Sequence, residues 1–334
     1  MNNSLPEFPI NEKYWRGMAE QELVIFKTNL LNHFQSTGFP YSTCSPEELV
    51  LEVEKTSKYL CTNSVINNGV VKQTMHLLGE LWSYFPHSYD IKCGSSKTPL
   101  EAFNTMLEKV IERRLKIGTY ISNSGMRKIL KTFTGVQGVS NFRPTSAYAI
   151  YDRYGGGDVW DMSMGFGGRL VGAYLCKKVK SYTGTDPSSL TFDGLLKLKN
   201  DLCFHKANLI KKGSEDYIPP KNSLDICFTS PPYFNTEKYS LEATQSYLTY
   251  PTKEDWFNGF LASTIRNCII GLKSGGILAI NIANVKSYKT LEKETVEHLN
   301  SYEQLEYVET LQYSLSAIGK NVYKYEPIFV YKKK

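Results

Sequence analysis

The residues best placed to do chemistry are Thr229-Ser230-Pro231-Pro232-Tyr233, which end the apolar run "DICF". Two adjacent prolines donate no backbone hydrogen bonds and cannot continue a central strand. They hold the backbone rigid, so the Ser230 hydroxyl and the neighbouring carbonyls stay aimed at one point. Tyr233 adds a flat face for stacking. Fixed acceptors beside an aromatic plate suit a planar ring carrying an exocyclic amine. The plain alternative is a structural turn.

A second candidate lies upstream in "DVWDMSMGFGGRLVGAYL". A run ends at Asp161, and Gly165, Gly167 and Gly168 then lead into helical spacing. Glycines let a backbone turn tightly and approach a ligand closely. They also simply ease strand–helix packing. The next β-rich run, "SYTGTD", ends in Asp186, 18 residues after Gly168. An acid at the end of a second strand can hold ribose hydroxyls, or it can cap the helix that follows.

The elements needed to position these residues are legible in the patterning. After residue 140, "DVWDMSM", "SYTGTD", "DICFTS" and "GILAINIA" alternate with "RLVGAYLCKK", "LTFDGLLKLKND" and "EDWFNGFLASTIRNCIIGLK". Strand and helix in alternation predict a parallel α/β sheet covered on both faces. The terminal run "YEPIFVYKKK" is expected at the sheet edge. The proline corner then leaves the C-terminal end of a fourth strand, Asp225 to Phe228, where open α/β sheets bind ligands. Before residue 140, apolar residues recur at i, i+3 and i+4, as in "EQELVIFKTNLLNHFQ", "PEELVLEVEKTSKYL" and "PLEAFNTMLEKVIERRLKIG". Ser45-Pro46 and Thr98-Pro99 read as helix starts, a cap residue followed by proline. The expected division is a mainly helical domain over 1–138 and an α/β domain over 139–334.

Thr229 to Tyr233 resembles the TSPPY form of a known motif. (S/T/N/D)-P-P-(Y/F) after the fourth strand marks the S-adenosylmethionine-dependent DNA amino-methyltransferases, and TSPPY is typical of the cytosine-N4 enzymes. The resemblance covers residues 141 to 334 and implies a Rossmann-like methyltransferase sheet with helices on both faces. It implies S-adenosyl-L-methionine as cofactor, double-stranded DNA as partner, and Ser230, Pro231, Pro232 and Tyr233 as the catalytic corner. Asp161-Met162-Ser163-Met164-Gly165-Phe166-Gly167 is similar to the family's D-P-F-x-G-x-G cofactor loop, departing at Met162 and Ser163. Phe142, Arg143, Pro144 and Thr145 match the segment that closes over the methionine end. Arg143 can equally be a plain surface charge. Ser214 and Glu215 fall where the family contacts the adenine, Asp186 where it contacts ribose, and Thr229 beside the corner. The implied chemistry is in-line methyl transfer to the amine of a flipped base, with no metal. Adenine-N6 transfer, methylation of RNA or of a protein amide, and a non-catalytic DNA-binding subunit are the alternatives. The implied setting is restriction-modification or solitary genome methylation.

Only 62 residues separate Gly168 from Ser230, too few for a recognition domain between the two motifs. Recognition is therefore expected from the N-terminal region. "KVIERRLKIGTYISNSGMRKILKTF" gathers Lys109, Arg113, Arg114, Lys116, Arg127, Lys128 and Lys131 with Tyr120 and Phe133. Such a mix suits phosphate contacts, or is a solvated helix face. The polar loop after the corner, with Tyr239, Tyr247 and Tyr250, is expected to overhang the site and stack bases, or to be an ordered lid.

Bulk composition is permissive. The 334 residues carry a net charge of +6 and a pI of about 8.7, which allows a polyanionic partner without demanding one. The seven cysteines are scattered with no CxxC pair, against a disulfide scaffold or zinc cluster. The few histidines do not fall at metal-ligand spacing. No stretch approaches membrane-spanning length, and the first residues lack the pattern of a secretory signal. A cytoplasmic, soluble protein is expected.

Overall fold

A computed structural model describes residues 5–319 and 322–334. Its principal helices are α1 (Glu20–Thr37), α2 (Pro46–Thr62), α3 (Pro99–Ile117), α4 (Asn123–Thr134), α5 (Pro144–Arg153), α6 (Gly168–Leu175), α7 (Ser189–Asp201), α8 (Ser263–Gly271) and α9 (Leu291–Asn300). Its principal strands are β1 (Gly157–Asp161), β2 (Val179–Thr185), β3 (Ala207–Ile210), β4 (Leu224–Thr229), β5 (Leu272–Asn281), β6 (Leu305–Gly319) and β7 (Val322–Lys333). The chain forms two compact units.

The first unit joins the chain up to Thr43 with Pro86–Val139. Leu30 and Phe34 of α1, Phe103 and Val110 of α3, and Met126 and Leu130 of α4 share one apolar core. Thr98 starts α3 with a reciprocal cap. Its hydroxyl accepts from the Glu101 N–H at 3.1 Å, and its own N–H donates to Glu101 Oε2 at 2.8 Å.

The second unit joins Cys44–Phe85 with Ser140–Lys334. Residues 44–85 thus pack with the sheet, where the sequence suggested one continuous helical domain over 1–138. The physical reason is strand pairing. Ile66–Asn67 and Val70–Val71 form a hairpin, and Val70–Val71 pairs in parallel with Gln312 and Tyr313 of β6. Its turn, Asn68-Gly69, has φ of 48° and 76°, the doubly positive geometry that favours Asn-Gly. Ser45 caps α2, accepting from the Glu48 N–H at 3.2 Å while donating to Glu48 Oε2 at 2.8 Å.

The large sheet runs from that hairpin in the order β6-β7-β5-β4-β1-β2-β3. β3, β2, β1, β4 and β5 are mutually parallel, and β7 is antiparallel to both β5 and β6. This is the Rossmann-like methyltransferase sheet expected from the sequence, except that the terminal run, expected at the edge, lies inside it: β7 pairs with both β5 and β6. Ile226, Cys227 and Phe228 of β4 are all fully buried, so residues pointing to either side are covered and both faces carry helices. The core beneath the site includes Trp160, Trp256, Ile265, Leu278 and Ile280.

Among the described residues no helix is long and apolar enough to cross a membrane, and no cluster of His, Cys, Asp and Glu is arranged to hold a metal ion. The cysteines are free thiols.

Candidate active site

The strand order reverses at β1, which has β2 on one side and β4 on the other. Ligands bind beyond the carboxyl ends of the strands at such a point, and a cleft lies there. Its walls are Met162, Ser163, Gly165 and Phe166 after β1, and Asp186 and Ser188 after β2. Gly213, Ser214 and Glu215 follow β3, and Ser230 and Pro232 follow β4. The cleft holds about 640 Å³ of empty space, its open side included, which is room for a nucleoside-sized ligand.

The glycine loop is fastened from below. Asp161 is fully buried; its carboxylate accepts from Arg169 Nε at 3.0 and 3.1 Å and from the Tyr182 hydroxyl at 2.7 Å. Arg169, in the first turn of α6, also donates to the Ser163 carbonyl. Asp161 therefore shapes the loop and does not line the cleft, where the family resemblance made it a cofactor contact. Gly165 turns the chain at φ +54°, and its N–H donates to Asp186 Oδ2 at 2.9 Å. Gly167 caps α6 outside the cleft. At Gly168 an added Cβ would collide with the Phe142 carbonyl oxygen.

Asp186 follows directly on β2, and the Ser188 N–H donates to its Oδ1 at 3.1 Å. Ser188, not Asp186, is the cap residue of α7. Burial pushes the Asp186 carboxyl up to about 6, against the opposing pull of the Ser188 and Gly165 N–H donors.

Beyond β3, the turn carrying Ser214 and Glu215 is held from α8. Asn267 Nδ2 donates to the Ser214 and Glu215 carbonyls at 3.1 and 2.9 Å, and the Ser214 and Thr264 hydroxyls lie 2.7 Å apart. Burial pushes the Glu215 carboxyl up to about 7. Its Oε2 is buried with no hydrogen-bond partner. A partnerless carboxyl oxygen in a cleft can accept from a ligand donor.

Across the cleft, Ser230 and Pro232 face the cavity, while Pro231 is buried behind them. Thr229 is buried off the cleft, and its hydroxyl has no partner. Tyr233 is half-buried against the core. Its hydroxyl lies 3.3 Å from the Asn281 carbonyl oxygen and 3.2 Å from Glu326 Oε2. Burial raises the Tyr233 phenol well above its ordinary value. Glu326, at the cleft end of β7, is a neighbour that sequence reasoning missed.

The segment 142–145 lies elsewhere. Phe142 stacks on Tyr313 at 4.4 Å. The Arg143 N–H donates to the Tyr313 hydroxyl at 3.2 Å, and its Nε to Gln73 Oε1 at 3.3 Å. Pro144 begins α5, and the Thr145 and Thr74 hydroxyls lie 2.7 Å apart. These four tie α5 to β6 and the 72–74 segment, and none lines the cleft.

The loop after the corner does line it, through Tyr239, Thr244, Gln245 and Ser246. Glu242 fastens this loop by accepting from the Ser189 N–H and hydroxyl at 3.1 and 3.0 Å. The Tyr247 hydroxyl donates to the Ser240 carbonyl at 2.6 Å, and the Tyr250 ring lies against Gly259. Of the three tyrosines, Tyr239 alone lines this cleft.

In the first unit the basic stretch divides. Arg114 Nε donates to the Tyr120 carbonyl at 2.6 Å, and Arg127 donates to the Pro40 carbonyl at 2.5 Å. The Arg113 guanidinium sits 5.7 Å from the Phe133 ring centre. Lys109 and Lys116 are exposed on α3 beside exposed Glu108 and Glu112. α4 contains no acid. Ser124, Lys128 and Lys131 are exposed at helical spacing opposite buried Gly125, Met126 and Ile129.

No protein-family model matches the sequence, and no curated protein matches it. Solved structures with a similar fold include an rRNA methylase from Streptococcus thermophilus, at 15% identity and TM-score 0.38, covering 58% of this chain and 99% of that one. Another is the magnesium protoporphyrin IX methyltransferase of Synechocystis with bound SAM, at 13% identity and TM-score 0.39, covering 56% and 74%. A third is a SAM-dependent O-methyltransferase from Thermotoga maritima, at 12% identity and TM-score 0.39, covering 58% and 67%. Likeness at this level bears on neither substrate nor chemistry.

Proposed function

We propose that the chain is an S-adenosylmethionine-dependent DNA amino-methyltransferase, with cytosine N4 the favoured acceptor. The observation that carries the reading is the Ser230-Pro231-Pro232-Tyr233 corner, two of whose residues face the same cleft as the glycine loop and Asp186.

Ser163, Gly165 and Phe166 would hold the methionine half of the cofactor, Asp186 the ribose, and Ser214 and Glu215 the adenine. Glu215 Oε2, buried and without a partner, fits a ligand carrying hydrogen-bond donors. The bound cofactor supplies an electrophilic methyl group. On the acceptor side, an aromatic amine is a poor nucleophile because its lone pair is delocalised into the ring. Hydrogen bonds from the amine to Ser230 Oγ and the Pro231 carbonyl localise that lone pair on nitrogen. The prolines keep both acceptors in place, so the contribution is orientation and preorganised dipoles. Tyr233 gives the base a stacking face, and extracting a base from duplex DNA costs about a few kcal/mol.

DNA as substrate is supported by the first unit. α4, which contains no acid of its own and exposes Lys128 and Lys131, suits phosphate contacts. Cytosine over adenine rests on the TSPPY form of the corner. Tritium transfer from labelled cofactor to duplex DNA, RNA and protein in parallel tests the reading. Label in DNA is expected; label in RNA or protein alone would replace the substrate class.

A further inference from the structure

We infer that Glu326 is the proton acceptor for the reacting amine, reached from Ser230 through the Tyr233 hydroxyl. The inference rests on the amino-methyltransferase reading of this cleft.

The register places Glu326 where such a role needs it. β7 runs antiparallel to β5 with Asn281 opposite Ile328. Glu326 lies two residues beyond that pair, at the end of the sheet where the corner leaves β4. Its Oε2 is 3.2 Å from the Tyr233 hydroxyl, and cleft-lining Ser230 stands three residues before Tyr233 in the same corner. Tyr233 thus stands between the cleft-lining corner and a carboxylate.

The surroundings favour a proton at the far end. Tyr313 of β6 stands opposite Glu326 across the hairpin. Asn281 of β5, Lys324 of β7 and Glu292 of α9 also act on the carboxyl, and Glu237 acts on Tyr233. Burial dominates and raises the Glu326 carboxyl above its ordinary value. A half-buried carboxylate is thus a better base than an exposed one.

The proton balance is simple. An amine that has accepted a methyl group carries one proton too many. One N–H bond breaks and its electron pair stays on nitrogen. That proton goes to Ser230 Oγ as the Ser230 proton passes to Tyr233 Oη and the Tyr233 proton to Glu326. The net change is one proton moved from nitrogen to Glu326, which then releases it to water. Glu326 touches no reacting atom, so it is a positioning residue acting through Tyr233.

The test combines the pH profile of kcat on duplex plasmid DNA with an infrared titration of the carboxyl C=O stretch. Wild type, Glu326→Gln, Glu326→Asp and Tyr233→Phe are compared. In wild type, kcat should fall on the acid side as Glu326 takes up a proton. Glu326→Gln should lower kcat about hundredfold to ten-thousandfold, flatten that limb, and leave cofactor affinity by calorimetry unchanged. Glu326→Asp should restore part of the limb. The infrared band of protonated Glu326 should titrate in wild type, vanish in Glu326→Gln and shift in Tyr233→Phe. A folded, cofactor-binding Glu326→Gln that keeps the wild-type pH profile overturns the inference. If wild type methylates neither nucleic acid nor protein, the parent reading fails. The infrared arm then still decides, because a band insensitive to Tyr233→Phe overturns the coupling by itself.

Discussion

The two sides of the cleft are built differently. On the glycine-loop side, buried charge holds the backbone: Asp161 grips Arg169, Arg169 grips the Ser163 carbonyl, and Asp186 grips the Gly165 N–H. On the corner side, covalent stiffness does that work. Pro231 and Pro232 need no hydrogen bond to stay put, and the polar contacts are those of a side-chain hydroxyl, from Tyr233 to Glu326 and to the Asn281 carbonyl. The difference teaches what each side must do. A cradle for a fixed ligand can be locked through its backbone, whereas a site that moves protons needs exchangeable side-chain hydrogen bonds.

The contrast can be broken most severely at Arg169. Arg169→Met leaves the Asp161 carboxylate buried without its cation, and loss of one partner of a buried pair costs about 3–5 kcal/mol. Chemical denaturation should report that loss, while the equivalent insult to the corner should leave stability nearly intact. Ser230→Ala is that insult. Turnover should fall about a hundredfold or more, the cost of one preorganised hydrogen-bonding group, with cofactor affinity by calorimetry retained. A variant at the wild-type rate would remove Ser230 from the chemistry.

Asp186→Asn tests the cradle as a ligand site. Losing a charged acceptor of about 1.5–3 kcal/mol should weaken cofactor binding about tenfold to hundredfold. The wild-type pH dependence has a defined sign. Asp186 is raised from 3.8 to about 6 in the folded chain, so its contribution to stability is full below 3.8 and is lost as pH climbs through about 6. Cofactor affinity should run the opposite way, rising through the same window as the carboxylate forms, and Asp186→Asn should flatten both trends. The smallest effect is expected at Lys128. Lys128→Ala should reduce the salt slope of DNA binding by about one, leaving cofactor affinity untouched. An unchanged slope would remove α4 from the DNA contact.

Much of this layout was legible in the sequence. The strand alternation, the glycine turn, the acid after β2 and the proline corner are local signals, each carried by residues within a few positions of one another. So were the caps at Ser45 and Thr98. What escaped depends on contacts between distant positions. Arg169 reads as an ordinary helix residue until β1 brings Asp161 beside it. Glu326 sits in an edge-strand pattern and meets Tyr233 only through the β5–β7 register. Arg143 is drawn away from the cleft by Gln73 and Tyr313, partners far away in the chain. The hairpin at 66–71 did leave a local signal, Asn-Gly between short apolar runs, that outweighs the helical spacing around it once β6 offers an edge to pair with.

The central claim is that this cleft methylates an exocyclic amine of DNA. Duplex DNA incubated with the protein and S-adenosylmethionine, then digested to nucleosides and analysed by mass spectrometry, tests it most directly. N4-methyldeoxycytidine is the predicted product. N6-methyldeoxyadenosine would keep the chemistry and correct the base. DNA free of both, from a preparation that demonstrably binds the cofactor, would contradict the claim.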